Sequence, residues 1–322
     1  MGKRLVQKSR VQYPKIGLYW AAATVGLTIL WSFILRILQA SGLIAILSFS
    51  IPVVLGSVIA VVYYFAHDHQ TLDYDDHGYS VTVGKKRKFE HQWPEFQTCS
   101  IVRDNYGKSR IRLYTERDGH HLDVDSSVCG VDPYKFRDFA SARLSSHVPQ
   151  ERPSDLLRGL ERDIQRGRAY WVADLSETFM DYQLSGEVFP LFARGGTRPK
   201  GFLLSRMFAY TIMPNYNVCM YVNWVDRSDS KAQIMRLLRI VETQRDQKNI
   251  KWSWLLLLGD ESAPTSVSKM IGEFGNRDIG IGYVNVLSGE IIVSPNQLGR
   301  SMVKQMRLNR LIRDLQRHGY LA

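Results

Sequence analysis

The chain has 322 residues, 45% hydrophobic and 23% charged, which excludes a disordered polymer and allows two or three compact domains. Its formal net charge is +11, but residues 67–147 hold 12 basic and 13 acidic side chains, so the middle of the chain is not a basic domain. Three scattered cysteines, Cys99, Cys129 and Cys219, match no zinc or redox spacing and read as reduced thiols of a cytosolic protein.

Residues 1–15 carry Lys3, Arg4, Lys8, Arg10 and Lys15 with no acid. The next twenty, "IGLYWAAATVGLTILWSFIL", carry no charge. At about 1.5 Å per residue they span roughly 30 Å, the thickness of a bilayer core, which predicts a transmembrane helix over 16–37. A second uncharged run predicts another over 43–66, with Pro52 as a kink. Tyr19, Trp20, Tyr63 and Tyr64 sit near the ends that would share one interface. A cleaved signal peptide followed by one anchor is the rival reading, but no small-residue cleavage site follows the first run. We read 16–66 as a two-helix hairpin. The cations before residue 16 and the even number of spans put both termini in the cytoplasm of a multi-pass inner or plasma membrane protein.

Residues 67–147 alternate in short runs, "GYSVTVG", "RKFEHQW", "QTCSIVRD" and "SRIRLYTE", the last two joined by "DNYG", a hairpin signal. "DPYKFRDFASARLSSH" predicts a closing helix with Asp132 as cap, Pro133 in its first turn, and Phe136, Phe139, Ala140 and Leu144 as its apolar stripe. The run "LDYDDHGYSV", the corner "WPEF", the hairpin "TERDGHHLDV" and this helix resemble the bacterial and archaeal pleckstrin-homology-like domain. The resemblance implies an antiparallel β barrel following a pair of membrane helices. Within it Gly84–Lys88, containing Lys85, Lys86, Arg87 and Lys88, reads as a solvated turn between the first two strands, with an anionic partner as the competing reading. His67, His69, His77, His91, His120 and His121 read as interfacial or solvated rather than as metal ligands.

Residues 148–322 hold 24 basic and 18 acidic side chains. "SDLLRGLERDIQRG" predicts a helix capped by Ser154, with Leu156, Leu157, Leu160 and Ile164 as its stripe. Strands are predicted at "AYWVADL", "EVFPLFA" and "NVCMYVNWVD". A helix follows with Ile234, Leu237, Leu238 and Val241 inward, then the buried strand "WSWLLLL". A helix after Pro264, stopping at Gly275, and a hairpin around Ser288–Gly289 complete an α/β mixed-sheet domain. The order, with "FGNRDIGIGYVNV" and "GEIIV", resembles the restriction-endonuclease-like fold. The resemblance implies a metal-binding triplet on the third strand, where this chain has Asn223, Trp224 and Val225. Glu187 and Asp226 are nearby acids without a lysine, so the implied site reads as dismantled. "GGTRPKG" lacks Walker spacing and reads as a loop, and we expect no cofactor and no catalytic or metal site.

The last helix, "QLGRSMVKQMRLNRLIRDLQRHGY", carries Arg300, Lys304, Arg307, Arg310, Arg313 and Arg317 against Asp314 alone. Such a surplus suits an anionic partner, whether lipid, nucleic acid or acidic protein. The combined reading has four parts: a basic terminus (1–15), the hairpin (16–66), a PH-like domain (67–147) and an α/β domain (148–322). Its expected role is a non-catalytic membrane-anchored scaffold with protein partners, self-association included. A DNA-handling component of a conjugation or secretion machine and a metal-dependent nuclease are the alternatives.

Overall fold

A computed structural model describes residues 6–37, 50–104, 107–116, 119–125, 129–144, 154–166, 173–197, 215–225, 230–310 and 312. The chain divides into two compact units. One comprises the chain up to Phe96 with Asp125–Phe136 and Arg143–Ser145. The other comprises Gln97–Val124, Arg137–Ala142 and the remainder.

The first unit holds two helices long and apolar enough to cross a membrane, α1 (Tyr13–Ile37) and α2 (Ser50–His67). The expected start of the second helix at residue 43 and the inter-helix turn lie outside the described residues. Pro52, Gly56, Ala60 and Tyr64 are the buried residues of α2, one every four positions, which makes a single stripe of a helix. Gly56 lies against Thr24, and Trp20 Nε1 donates to Ser57 Oγ at 3.0 Å. The other faces leave Val54, Val58, Val62 and Phe33 exposed, as a water-facing helix would not.

Four strands form the first sheet, β1 (Val6–Ser9), β2 (Gln70–Tyr74), β3 (Gly78–Val83) and β4 (Lys86–Gln92), antiparallel in the order β1-β2-β3-β4. β1 is unexpected, because the basic terminus carried no strand signal. The "WPEF" corner is a 3-10 turn over Trp93–Glu95, and Trp93 Nε1 donates to Asp75 O at 2.7 Å. Tyr74, Tyr79, Trp93, Phe96 and Phe136 make the aromatic core of this unit.

The closed barrel expected over 67–147 is not formed. Three strands of that stretch, β5 (Thr98–Arg103), β6 (Ser109–Tyr114) and β7 (His121–Val124), belong instead to the second unit's nine-stranded sheet. The remaining strands are β8 (Asp174–Leu184), β9 (Glu187–Gly196), β10 (Asn217–Trp224), β11 (Ile250–Gly259), β12 (Ile279–Asn285) and β13 (Ile291–Val293). The order is β13-β12-β11-β10-β9-β8-β5-β6-β7, with β10, β11 and β12 parallel and the other pairs antiparallel. The joint is the pairing of Ser100, Ile101 and Val102 with Phe179, Thr178 and Glu177. Local hairpin signals are the same whichever sheet a hairpin joins, so this long-range pairing decides the architecture.

Helices lie on both faces of this mixed sheet. α3 (Pro133–Ser141) starts under its expected cap, with Asp132 Oδ1 accepting from Tyr134 N at 3.0 Å. Its second inward residue after Phe136 is Arg137 rather than Phe139. α4 (Ser154–Arg166) and α7 (Gln297–Gln305) share one core cluster with Trp254, Leu256 and Leu258 of β11. α5 (Ser230–Gln247) and α6 (Thr265–Gly272) share the other with Leu255 and Leu257. The "LLLL" run is thus divided between two cores, each fully buried leucine contributing about 1.5–3 kcal/mol of transfer free energy. α6 ends at Gly272, three residues before the expected stop. Gly280 and Gly282 let α7 lie directly on β12, since a Cβ would stand 2.7 Å from Gly299 N or 2.5 Å from Met302 Sδ.

Candidate functional site

The base of the helix pair concentrates the polar contacts of the first unit. Tyr64 Oη accepts from Gln12 N at 2.8 Å and donates to Arg10 O at 3.4 Å, fixing the link between β1 and α1. Asp68, just past α2, takes the Tyr19 hydroxyl and pairs with Lys15 Nζ at 3.7 Å. The β3–β4 turn is docked here as well. Gly84 N–H donates to His69 O at 2.7 Å, and Gly84 adopts φ +60, a left-handed value that favours glycine. A Cβ at Gly84 would stand 2.0 Å from Ala66 O, so the turn touches the last turn of α2 backbone to backbone.

That contact repositions the basic run. The turn is Gly84–Lys85 alone, not Gly84–Lys88, because β4 already begins at Lys86. Arg87 pairs with Thr82, and Lys88 is the extra residue of a bulge between the Val81↔Phe89 and Thr82↔Arg87 pairs. Lys85 and Lys86 are exposed; the side chains of Arg87 and Lys88 lie outside the described residues. Cations beside the C-terminal end of α2 also complement the partial negative charge of its carbonyls.

The carboxy-terminal cations are arranged differently from expectation. α7 ends at Gln305, and Arg307 takes φ +50, so the expected single helix is interrupted. Leu298, Met302, Met306, Leu308 and Ile312 are core residues, which makes this segment a layer of the α/β unit. Asn296 Oδ1 caps α7 from Gly299 N at 2.6 Å, and Trp254 Nε1 donates to Leu298 O at 3.1 Å. Arg300 and Lys304 are exposed, and Arg310 approaches Asp163 at 3.8 Å. Arg313 and Arg317 lie outside the described residues.

A buried charge network in the second unit had no counterpart in the sequence reading. Glu177, 6% exposed, accepts from Ser100 Oγ at 2.7 Å, Tyr114 Oη at 2.5 Å and Arg194 Nε at 2.8 Å. Arg194 also donates to Tyr114 Oη at 2.8 Å and lies 5.1 Å from the Phe179 ring centroid. Burial, with Glu177 beside it, pushes the Tyr114 phenol up to about 12. Arg137 pairs with the fully buried Glu161, whose Oε1 also takes Thr178 Oγ1 at 2.8 Å, and Arg103 pairs with Asp174. The three donors on Glu177 come from Ser100 of β5, Tyr114 of β6 and Arg194 of β9, so this carboxylate ties those strands to β8. No clear signal marked it in the sequence, because β8, "DLSETFMDYQL", mixes polar and apolar residues throughout, and the burial of Glu177 shows only with its partners in place.

The positions implied by the nuclease resemblance are similarly engaged. Asn223 Oδ1 accepts from Trp224 N at 2.7 Å, and Glu187 pairs with Arg236 at 2.8 Å. Asp226 lies outside the described residues. Among the described residues no group of three or more His, Cys, Asp or Glu could hold a metal ion, and Cys99, Cys129 and Cys219 are free and buried. Comparison with family models, curated proteins and solved structures finds no match.

Proposed function

We propose that this chain is a non-catalytic scaffold anchored in a membrane by the α1–α2 pair, with its folded units on the cytoplasmic face. The pairing of β1 with β2 carries the reading. β1 precedes both helices and β2 follows both, with Ser9 opposite Thr71 and Val6 opposite Tyr74. A bilayer crossed once by each helix leaves both strands on one side, whereas cleavage after the first helix would remove β1 from its sheet. The cations before residue 16, together with Lys85 and Lys86, support the cytoplasm as that side. A scaffold role fits polar groups that are spent on one another, as at Glu177, Asn223 and Glu187.

Sealed vesicles of both orientations test the anchoring, because the native cysteines are buried. Gln7→Cys and Asp246→Cys should both react with a membrane-impermeant maleimide in inside-out vesicles only. Labelling from opposite faces, or recovery in the soluble fraction, overturns it. Cross-linking in native membranes should trap a defined protein partner; a chain that remains uncross-linked overturns the scaffold role.

A further inference from the structure

The register of the four-stranded sheet sorts its charges by distance from α2. β2 begins three residues after α2 ends, so Gln70, Val83 and Lys86 mark the helix-proximal end of the sheet. Tyr74, Tyr79 and His91 mark the far end, and the row Lys8–Leu72–Val81–Phe89 crosses the middle. On that row or on its helix side lie Lys8, Arg10, Lys85, Lys86, Arg87 and Lys88, and the strands and turn there contain no Asp or Glu. Beyond it the strands and their connections hold Asp73, Asp75, Asp76, Glu90 and Glu95 and no Lys or Arg, with Asp75 buried and Asp76 paired with Arg143 at 2.6 Å. Asp68, in the link itself, is already engaged by Lys15 and Tyr19. Three strand residues span about 10 Å, so the whole 85–88 run stays within roughly one Debye length of the turn that touches α2.

We propose that this cationic end of the sheet is a docking surface for anionic phospholipid head groups at the mouth of the helix pair. The proposal rests on the reading of α1 and α2 as membrane-spanning. Continuity with α2 selects the occupant. The exposed apolar side chains Val62, Tyr63 and Phe65 run up to the last turn of α2, and the Gly84–Lys85 turn lies against that turn. Where hydrocarbon-facing residues end and cations begin, a bilayer places its phosphates. A soluble polyanion would have to approach through the plane that the bilayer occupies. Lys85 and Lys86 are exposed and form no ion pair among the described residues, so nothing internal neutralises them.

The test uses the full chain in lipid nanodiscs of phosphatidylcholine, alone or with about one third phosphatidylglycerol. Amide hydrogen exchange is followed across the β3–β4 hairpin. The anionic lipid should slow exchange around Gly84–Lys88 by about fivefold, and about 1 M salt should abolish the difference. Lys85→Gln with Lys86→Gln should reduce the lipid effect, while Glu90→Gln, at the far end, should keep it. The salt response of the unaltered chain stands even if a variant misfolds. Exchange that is equal in the two lipids and indifferent to salt overturns the proposal. So does protection that appears only when a duplex oligonucleotide is added to phosphatidylcholine discs, which would favour nucleic acid. Failure of the chain to enter the discs defeats the membrane reading itself, whereas entry with lipid-indifferent exchange defeats only this proposal.

Discussion

In the nine-stranded sheet, Glu177 is almost wholly buried and receives Ser100, Tyr114 and Arg194, and the fully buried Glu161 takes Arg137. In the four-stranded sheet, Lys85 and Lys86 stand exposed at a turn with no acid among their strand neighbours. The first arrangement closes its electrostatics internally. A buried charge costs several kcal/mol unless it is paired, so every ion in that network is tied to its partner's position. The second leaves like charges side by side with no acidic strand neighbour, beside the carbonyl end of α2. Two regions of one protein with opposite uses of charge show why a net charge of +11 is a poor guide to function.

The comparison is broken most severely by opening the closed network. Glu161→Ala removes the buried partner of Arg137, 1% exposed, leaving Asp138 at 2.9 Å as its remaining carboxylate, and should cost about 1–3 kcal/mol. Thermal unfolding of the purified full chain should show a markedly lower midpoint. Replacing both residues together, Arg137→Met with Glu161→Leu, should restore most of the loss. If the single and double variants are equally damaged, the pair is not the unit of stability here.

An intermediate effect is expected at the open site. Gly84→Val forces a β-branched residue into φ +60 and drives its Cβ into Ala66 O, at a cost of about 1–3 kcal/mol. The turn must leave α2, so hydrogen exchange should accelerate at Gly84–Lys86 while the second unit's amides keep their rates. Unchanged exchange would mean that the turn is not docked on the helix.

The smallest and most graded effect is alkaline. Tyr114 is held protonated because burial disfavours its phenolate, raising it from 10.0 to about 12. A raised folded-state value means that stability is intact below pH 10 and is lost as pH climbs from about 10 towards about 12. Unfolding midpoints measured across that window should fall, and Tyr114→Phe should flatten the fall while costing stability at neutral pH through the donor that Glu177 loses. An identical alkaline slope in the variant would assign the effect to another group.

What could be read from the residues alone follows the range of the interaction. α5 and β11 were legible because Ile234, Leu237, Leu238 and Val241, and the run Trp254–Leu258, announce their burial locally. β1 was not, since "VQKS" is too short and polar to be a strand without β2, which comes after both helices. The barrel expectation failed at Ser100–Val102, whose partners lie in β8. At the terminal segment the arginines drew attention away from Met302, Met306, Leu308 and Ile312, which the core claims. The cationic run of 85–88 was visible, but its place was not. Only the contact of Gly84 with Ala66 and His69 brings it to the helix mouth, and only the register shows the acids collected at the other end.

The β1–β2 pairing also has a timetable. Val6–Ser9 are made more than sixty residues before their partner, which is complete only when residue 74 has been polymerised and has cleared the ribosome. At ~5–20 residues per second the early strand waits on the order of several seconds, unpaired, while both apolar segments emerge. During that interval nothing in the fold commits the amino terminus to a side. On the membrane-spanning reading, the ladder forms once β2 arrives on the side where β1 waits. On that reading, a chain whose first helix went in the wrong way round would keep β1 on the far side and leave the edge of β2 bare.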